Sequence, residues 1–222
     1  EQMREINIKP NSIILEPFGR NTAPAIALAA LKAINNNEDP TLLILSSDHK
    51  IENDENFRNV IEKGVPHAMK GRLVTFGIIP DSPETGYGYI KSFNELSEER
   101  TSSKINKFIE KPHLELANSF IKDKHYVWNS GIFLFKASTI LDELKKFEPE
   151  IIRICDESLK QGRRDLDFFR INEQIFKKCP DIPIDIAVME KTNLGSVLTL
   201  KAGWDDIGSW ESIWKNSKKD SN

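Results

Sequence analysis

Two acidic positions far apart in the chain are the groups best suited to do chemistry. Asp205 and Asp206 lie inside Gly203-Trp-Asp-Asp-Ile-Gly-Ser-Trp210, between aromatic and glycine residues. A tight turn there would hold a carboxylate rigidly towards a bound cation or phosphate. Asp48 closes the apolar run that leads through Leu45-Ser-Ser-Asp-His49. Two acids, each at a strand end, are what a magnesium-dependent nucleotidyl transfer asks for. The cation must neutralise a triphosphate while a second oxyanion attacks it. Asp48 also has a plainer reading, as a helix-capping acid in a strand-to-helix loop, although open α/β sheets place ligands beyond the carboxyl ends of their strands.

The other polar motifs each carry two readings. His49 suits a metal, and equally suits the fold as a hydrogen-bonded group beside a strand end. In Pro83-Glu-Thr-Gly-Tyr-Gly88 the glycines let backbone N–H groups approach a phosphate or sugar, or simply form a turn before a strand. The hexapeptide lacks the third glycine and the flanking elements of a dinucleotide fingerprint. Glu110-Lys-Pro112 offers a carboxylate to two sugar hydroxyls and an ammonium to a phosphate. As a bland alternative it is a surface ion pair before a helix. In Trp128-Asn-Ser-Gly131, Asn129 can donate to and accept from one hydroxyl, or serve as a turn residue, with Trp128 packed in the core. Arg20 and Asn21 stand at a helix start, where anions bind and where a cap and a surface arginine are also ordinary.

These groups need a frame, and the apolar pattern supplies one. Ile13–Leu15 and Leu42–Leu45 read as buried strands, the second unalternating, as a two-sided parallel strand should be. Asn21-Thr22 caps a helix whose face is Ile26, Ala29, Ala30 and Ala33. Phe57, Val60, Ile61, Val65 and Ala68 mark the next helix, and Leu73–Phe76 returns to the sheet. Strand, helix, strand, helix, strand implies right-handed crossovers and parallel pairing. Strands at Gly86–Ile90 and Lys104–Ile109 follow, joined by an exposed, mobile, acidic loop over 94–103. A helix starts at Leu114, a buried strand covers Gly131–Phe135, and the pattern is helical from Ala137 to about Lys178 with a break at Pro149. A short helix over Ile184–Lys191 and a strand over Val197–Leu200 lead to the acidic turn. All the polar motifs fall at strand ends or helix starts, so a parallel-type sheet would gather many of them on one edge.

At 222 residues, 39% hydrophobic and 29% charged, the chain suits one α/β domain with a helical excursion. A net charge of -3 gives no footprint for nucleic acid or an anionic membrane. Arg163-Arg164 and Lys218-Lys219 read as solvated faces. Cys155 and Cys179 show no metal spacing, which points to a reduced, cytoplasmic protein. No apolar run approaches the ~18 residues of a spanning helix.

Taken together and in order, seven segments resemble the mannose-1-phosphate guanylyltransferases. They are Glu16 to Leu31 (EPFGRNTAPAIALAAL), Leu42 to Ile51 (LLILSSDHKI), Val74 to Ile90 (VTFGIIPDSPETGYGYI), Phe108 to Pro112 (FIEKP), Trp128 to Ala137 (WNSGIFLFKA), Ile184 to Thr192 (IDIAVMEKT) and Gly203 to Trp210 (GWDDIGSW). The resemblance implies a single Rossmann-like, glycosyltransferase-A-like nucleotidyltransferase domain over 1–222. Its mixed, mainly parallel sheet would be flanked by helices, with a nucleotide half at about 1–80 and a sugar half at about 81–215. It implies GMP transfer from GTP to mannose 1-phosphate, giving GDP-mannose and pyrophosphate with Mg²⁺ as cofactor. By the same resemblance Asp48 and Asp206 hold the metal, with Asp205 in second place. Lys111 meets the sugar phosphate, Glu110 and Asn129 contact the sugar, and Gly86 lies in the loop facing the hexose. Arg20 and Asn21 belong to the segment lining the nucleotide pocket. The glycine-rich triphosphate loop that opens this family has no counterpart here, so an N-terminally truncated domain is expected. An unpaired sheet edge of that kind favours association into a homo-oligomer. The same departure keeps an alternative open: a non-catalytic sugar-nucleotide-binding or regulatory domain. Isomerase activity has no support in these residues.

Overall fold

The computed structural model describes residues 2–34, 38–97, 101–208 and 213–214. In chain order the first elements are α1 (Gln2–Glu5), β1 (Ile13–Leu15), α2 (Thr22–Ala33), β2 (Thr41–Ile44), β3 (His49–Ile51) and α3 (Asp54–Met69). Then come β4 (Leu73–Ile78), β5 (Tyr89–Ser92), β6 (Ser102–Ile109), α4 (Leu114–Phe120), β7 (Tyr126–Lys136) and α5 (Ala137–Phe147). The last are α6 (Pro149–Lys160), β8 (Arg163–Asp165), β9 (Phe168–Arg170), α7 (Glu173–Phe176), a π-helical turn (Asp185–Met189), β10 (Gly195–Thr199) and β11 (Trp204–Asp206). The chain divides into two compact units: Glu1–Pro40 with Ile140–Lys191, and Thr41–Thr139 with Thr192–Asn222.

The second unit is built on a six-stranded sheet in the order β2-β7-β4-β10-β6-β5, with β5 also pairing to β7. The sheet is mixed, as expected, but its pairing is chiefly antiparallel; β4 and β10 form its parallel pair. The reason is an insertion. β2 and β4 do point the same way, as a crossover through α3 requires, but β7 lies between them, antiparallel to both. Phe57, Val60, Ile61 and Val65 of α3 pack against Val74 and Phe76 of β4, Ile132 and Leu134 of β7, and Leu198 of β10. Each such side chain, fully buried, is worth about 1.5–3 kcal/mol, so the sheet centre is the rigid part. β2 was expected to be buried on both faces. It pairs only with β7 among the described residues, and Leu43 and Leu45 are exposed. The 94–103 loop is not uniformly exposed, since Leu96 and Ser103 are buried; its residues 98–100 lie outside the described residues.

The first unit carries a three-stranded sheet, β1-β9-β8. β1 therefore pairs in parallel with β9 instead of joining β2 and β4. The helical pattern expected up to Lys178 is interrupted by the β8–β9 hairpin. Arg163–Asp165 and Phe168–Arg170 pair across a two-residue turn in which Leu166 takes φ 54°, and Arg170 Nε donates to Asp165 Oδ2 at 2.5 Å. α2 packs against α6, and its buried residues include Ala23, Ile26, Ala27 and Ala30, while Ala29, expected on the apolar face, is exposed.

Candidate active site

Strand alternation decides which acid of the Asp-Asp pair can act. β11 pairs antiparallel with β3, setting Asp206 opposite His49 and Asp205 opposite Lys50. Successive side chains leave opposite faces, so Asp206 and His49 share a face that Asp205 does not. Ile207 N donates to Asp48 O at 2.9 Å, which carries the pairing past the strand ends and draws Asp48 in. The ligand atoms of Asp48, His49 and Asp206 all lie within 4.8 Å of one another. Asp206 Oδ1 accepts from Gly208 N at 3.0 Å, which fixes the carboxylate orientation. Ser209 and Trp210, the end of the motif, lie outside the described residues.

Aromatic rings wall this cluster. His49 meets Trp204 edge-on at 5.3 Å, and Tyr87 meets Trp204 at 5.5 Å and Trp128 at 5.3 Å, also edge-on. Trp128 is buried in a core with Tyr89, Ala117 and Phe120, so it is a packing residue. Burial lowers the His49 pKa, against the raising effect of Asp206 and Asp48. Its Nδ1 is buried without a hydrogen-bond partner among the described residues. The Tyr87 phenol is pushed up to about 12, first by burial and then by Asp205, Asp206, Glu84 and Asp81.

The sugar-type motifs converge on the same unit. Asn129 sits where β7 bulges against β4: Thr75 pairs with Phe133, but Gly77 pairs with Asn129. The bulge centres on Gly131, whose φ of +69° is the left-handed region that glycine adopts freely. A Cβ on Gly131 would stand 3.5 Å from His49 Cε1, so the bulge lies beside the acidic cluster. Asn129 Oδ1 accepts from Thr75 Oγ1 at 3.1 Å and from Gly131 N at 3.3 Å. Thr75 is fully buried and also reaches Ile132 O at 3.1 Å, so its one hydroxyl proton is shared between two acceptors. Sequence reasoning missed Thr75, because a threonine inside an apolar strand looks like any β-branched filler.

Asn129 N donates to Gly88 O at 2.8 Å, and a Cβ on Gly88 would stand only 2.7 Å from Glu110 Oε2. Gly88 is therefore the glycine at which an added side chain would displace the Glu110 carboxylate. Around Gly86, the one singled out from sequence, a Cβ would meet nothing within 4 Å. Glu110 follows β6 and is largely covered, whereas Lys111 is mostly exposed, with Nζ 3.6 Å from Glu110 Oε1. Lys111 has φ 44°, a strained value for a residue with a Cβ, directly before Pro112.

Arg20 and Asn21 belong to the first unit, where both serve the fold. Asn21, at φ 65°, caps α2 by accepting from Thr22 N at 3.1 Å, and Arg20 Nη2 donates to Lys177 O at 2.6 Å. Among the described residues no helix is long and apolar enough to cross a membrane.

A nucleotidyl transferase profile matches residues 1–222. The chain is 48% identical to the mannose-1-phosphate guanylyltransferase ManC of Salmonella typhimurium over 98% of its own length and 46% of that protein. It is 47% identical to the mannose-1-phosphate guanylyltransferase of Escherichia coli over 100% of this chain and 48% of that one. The chain thus spans about half the length of these curated relatives. Among solved structures, one from Helicobacter pylori, described as a mannose-6-phosphate isomerase, superposes with a TM-score of 0.82 at 34% identity, covering 92% of this chain and 79% of that one.

Proposed function

We propose that this chain, which belongs to the nucleotidyl transferase family, serves the transfer of GMP from GTP to mannose 1-phosphate, releasing pyrophosphate and forming GDP-mannose. The observation that carries the reading is the convergence of Asp48 and Asp206 from distant segments onto one face. The names borne by the guanylyltransferase relatives supply the substrates. That the Helicobacter pylori structure bears an isomerase name concerns that protein; the acids and sugar-type motifs here suit nucleotidyl transfer.

The donor set suits a hard divalent cation. Two oxygens on one Mg²⁺, each at about 2.0–2.1 Å, stand no more than about 4.2 Å apart, and the Asp48 and Asp206 ligand atoms are within 4.8 Å already. Small rotations of two carboxylates close that gap. Bound there, Mg²⁺ would supply charge neutralisation on the phosphates. In this reading an oxygen of mannose 1-phosphate attacks the α-phosphorus in line, and the bond from that phosphorus to the pyrophosphate oxygen breaks. Lys111 offsets the negative charge of the sugar phosphate. Glu110 and Asn129 accept and donate hydrogen bonds to sugar hydroxyls, with Gly86 and Gly88 contributing the loop between them. The chemistry is positioning and electrostatics, with no covalent enzyme intermediate. A cytoplasmic setting, where GTP and sugar phosphates are available, belongs to the same proposal.

The test is pyrophosphate release with GTP, mannose 1-phosphate and Mg²⁺, beside a GDP-mannose binding titration. Mg²⁺-dependent turnover is expected. GDP-mannose binding with no turnover would replace the reading by a sugar-nucleotide-binding domain, and failure of both would overturn it.

A further inference from the structure

His49 is the side chain beside the acids that the proposed reaction leaves without a task. The register of the β3–β11 pair sets it directly opposite Asp206, on the same face. One ring nitrogen of His49 and one carboxylate oxygen each of Asp48 and Asp206 all lie within 4.8 Å of one another. Strand register and side-chain distance thus agree in bringing an imidazole to the two carboxylates.

Packing holds the ring there. Trp204, two residues before Asp206, meets it edge-on at 5.3 Å, and the bulge at Gly131 passes so near that a Cβ there would stand 3.5 Å from Cε1. A histidine kept for the fold alone would have its buried nitrogen matched by a neighbour, because burying an unmatched polar atom costs stability. Nδ1 is instead buried with no hydrogen-bond partner among the described residues.

The added nitrogen changes which cation the cluster favours. Mg²⁺ takes oxygen ligands and gains little from an imidazole, whereas first-row cations such as Co²⁺ and Zn²⁺ bind nitrogen well. Nitrogen and carboxylate oxygen lie about 2.0–2.2 Å from Zn²⁺, so two ligand atoms on one ion stand no more than about 4.4 Å apart. Small side-chain rotations reach that from the spacing observed. We propose that His49 is a third protein ligand of the Asp48–Asp206 site, and that it makes the site take a first-row cation in preference to Mg²⁺. The inference rests on the metal reading above: the carboxylates hold either cation, and His49 decides between them.

The experiment titrates the full chain with Co²⁺, followed by visible absorption and by proton NMR of the Co²⁺-loaded protein, with Mg²⁺ as competitor. A histidine bound to Co²⁺ shows an exchangeable ring N–H resonance far outside the ordinary range. That resonance is expected, with Mg²⁺ displacing Co²⁺ only at roughly 100-fold excess or more. His49→Phe keeps a ring and removes both nitrogens. It is expected to lose the resonance and to weaken Co²⁺ binding roughly 100-fold, while Mg²⁺ affinity changes by less than about 3-fold. The comparison between cations is decisive, because a merely structural role would weaken both alike. His49→Asn, with an amide in place of the imidazole, makes the same comparison should the phenylalanine variant not fold. Equal losses for the two cations, or Co²⁺ binding without the shifted N–H resonance, overturn the proposal. Where Asp206→Ala still abolishes Mg²⁺ binding, the two-carboxylate reading survives that result. If Asp206→Ala leaves the binding of both cations unchanged, both readings fall.

Discussion

Gly88→Ala separates the sugar contact from the fold. The added Cβ would lie 2.7 Å from Glu110 Oε2, while its next neighbours, Phe108 Cε1 at 3.4 Å and Asn129 Cβ at 3.5 Å, are in ordinary contact. The clash is thus with the end of a flexible carboxylate, not with backbone. Relief to about 3.4 Å moves that oxygen by roughly 0.7 Å, enough to misalign a hydrogen bond. A bond from a hydroxyl to a charged carboxylate contributes about 1.5–3 kcal/mol, which corresponds to roughly 10–100-fold in kcat/KM. Stability should change by less than about 1 kcal/mol. The assay is initial-rate pyrophosphate release with mannose 1-phosphate varied at saturating GTP, beside a urea melt of the same variant. The expected result is a raised KM for mannose 1-phosphate with the KM for GTP unchanged. Equal effects on both substrates, or no effect on either, would refute the assignment of Glu110 to the sugar. A stability loss beyond about 2 kcal/mol would instead show that Glu110 is held rigidly.

Three further outcomes follow from the same geometry. Asp206→Ala should lower turnover on the order of 10³-fold or more by removing a metal ligand, while Asp205→Ala, on the other strand face, should cost less than about 10-fold; equal losses in steady-state assays would contradict the alternation argument. Thr75→Val removes the hydroxyl that orients the Asn129 amide, and is expected to reduce discrimination between mannose and glucose 1-phosphates while costing about 1–2 kcal/mol of stability; unchanged selectivity in competition assays would make Thr75 purely structural. Tyr87 should ionise at about 12 in an ultraviolet titration, and Tyr87→Phe should remove one phenol from the late phase, to which buried Tyr89 also contributes. Because the folded pKa of Tyr87 is raised above an ordinary value of about 10, its stabilising contribution is intact below about pH 10 and is lost as pH rises through about 12. A melt series showing stability rising over that window would break the assignment.

What was legible in the sequence follows from the range of the interactions involved. Asp48 and Asp206 could be picked out because each is framed by local signals, an apolar strand on one side and a glycine-flanked turn on the other. The motifs at 83–88, 110–112 and 128–131 could be noticed for the same reason, but not joined. Their meeting depends on β5 and β7 pairing with each other as well as with β6 and β4. The strand insertion was invisible for a related cause. Alternating strand and helix correctly made β2 and β4 point the same way, yet nothing in either segment announces that a strand over 126–136 will slide between them. The β8–β9 hairpin was read as helix because Arg163 to Arg170 is short, charged and flanked by helical periodicity; its turn depends on Leu166 taking φ 54°, which no residue type advertises. Gly86 and Gly88 show the limit most sharply. Both glycines precede the same strand and read alike in one dimension. Only the approach of Glu110 Oε2, just after β6, makes Gly88 the position where an added methyl must displace a site carboxylate, so the choice between them is a tertiary fact that one methyl group can test.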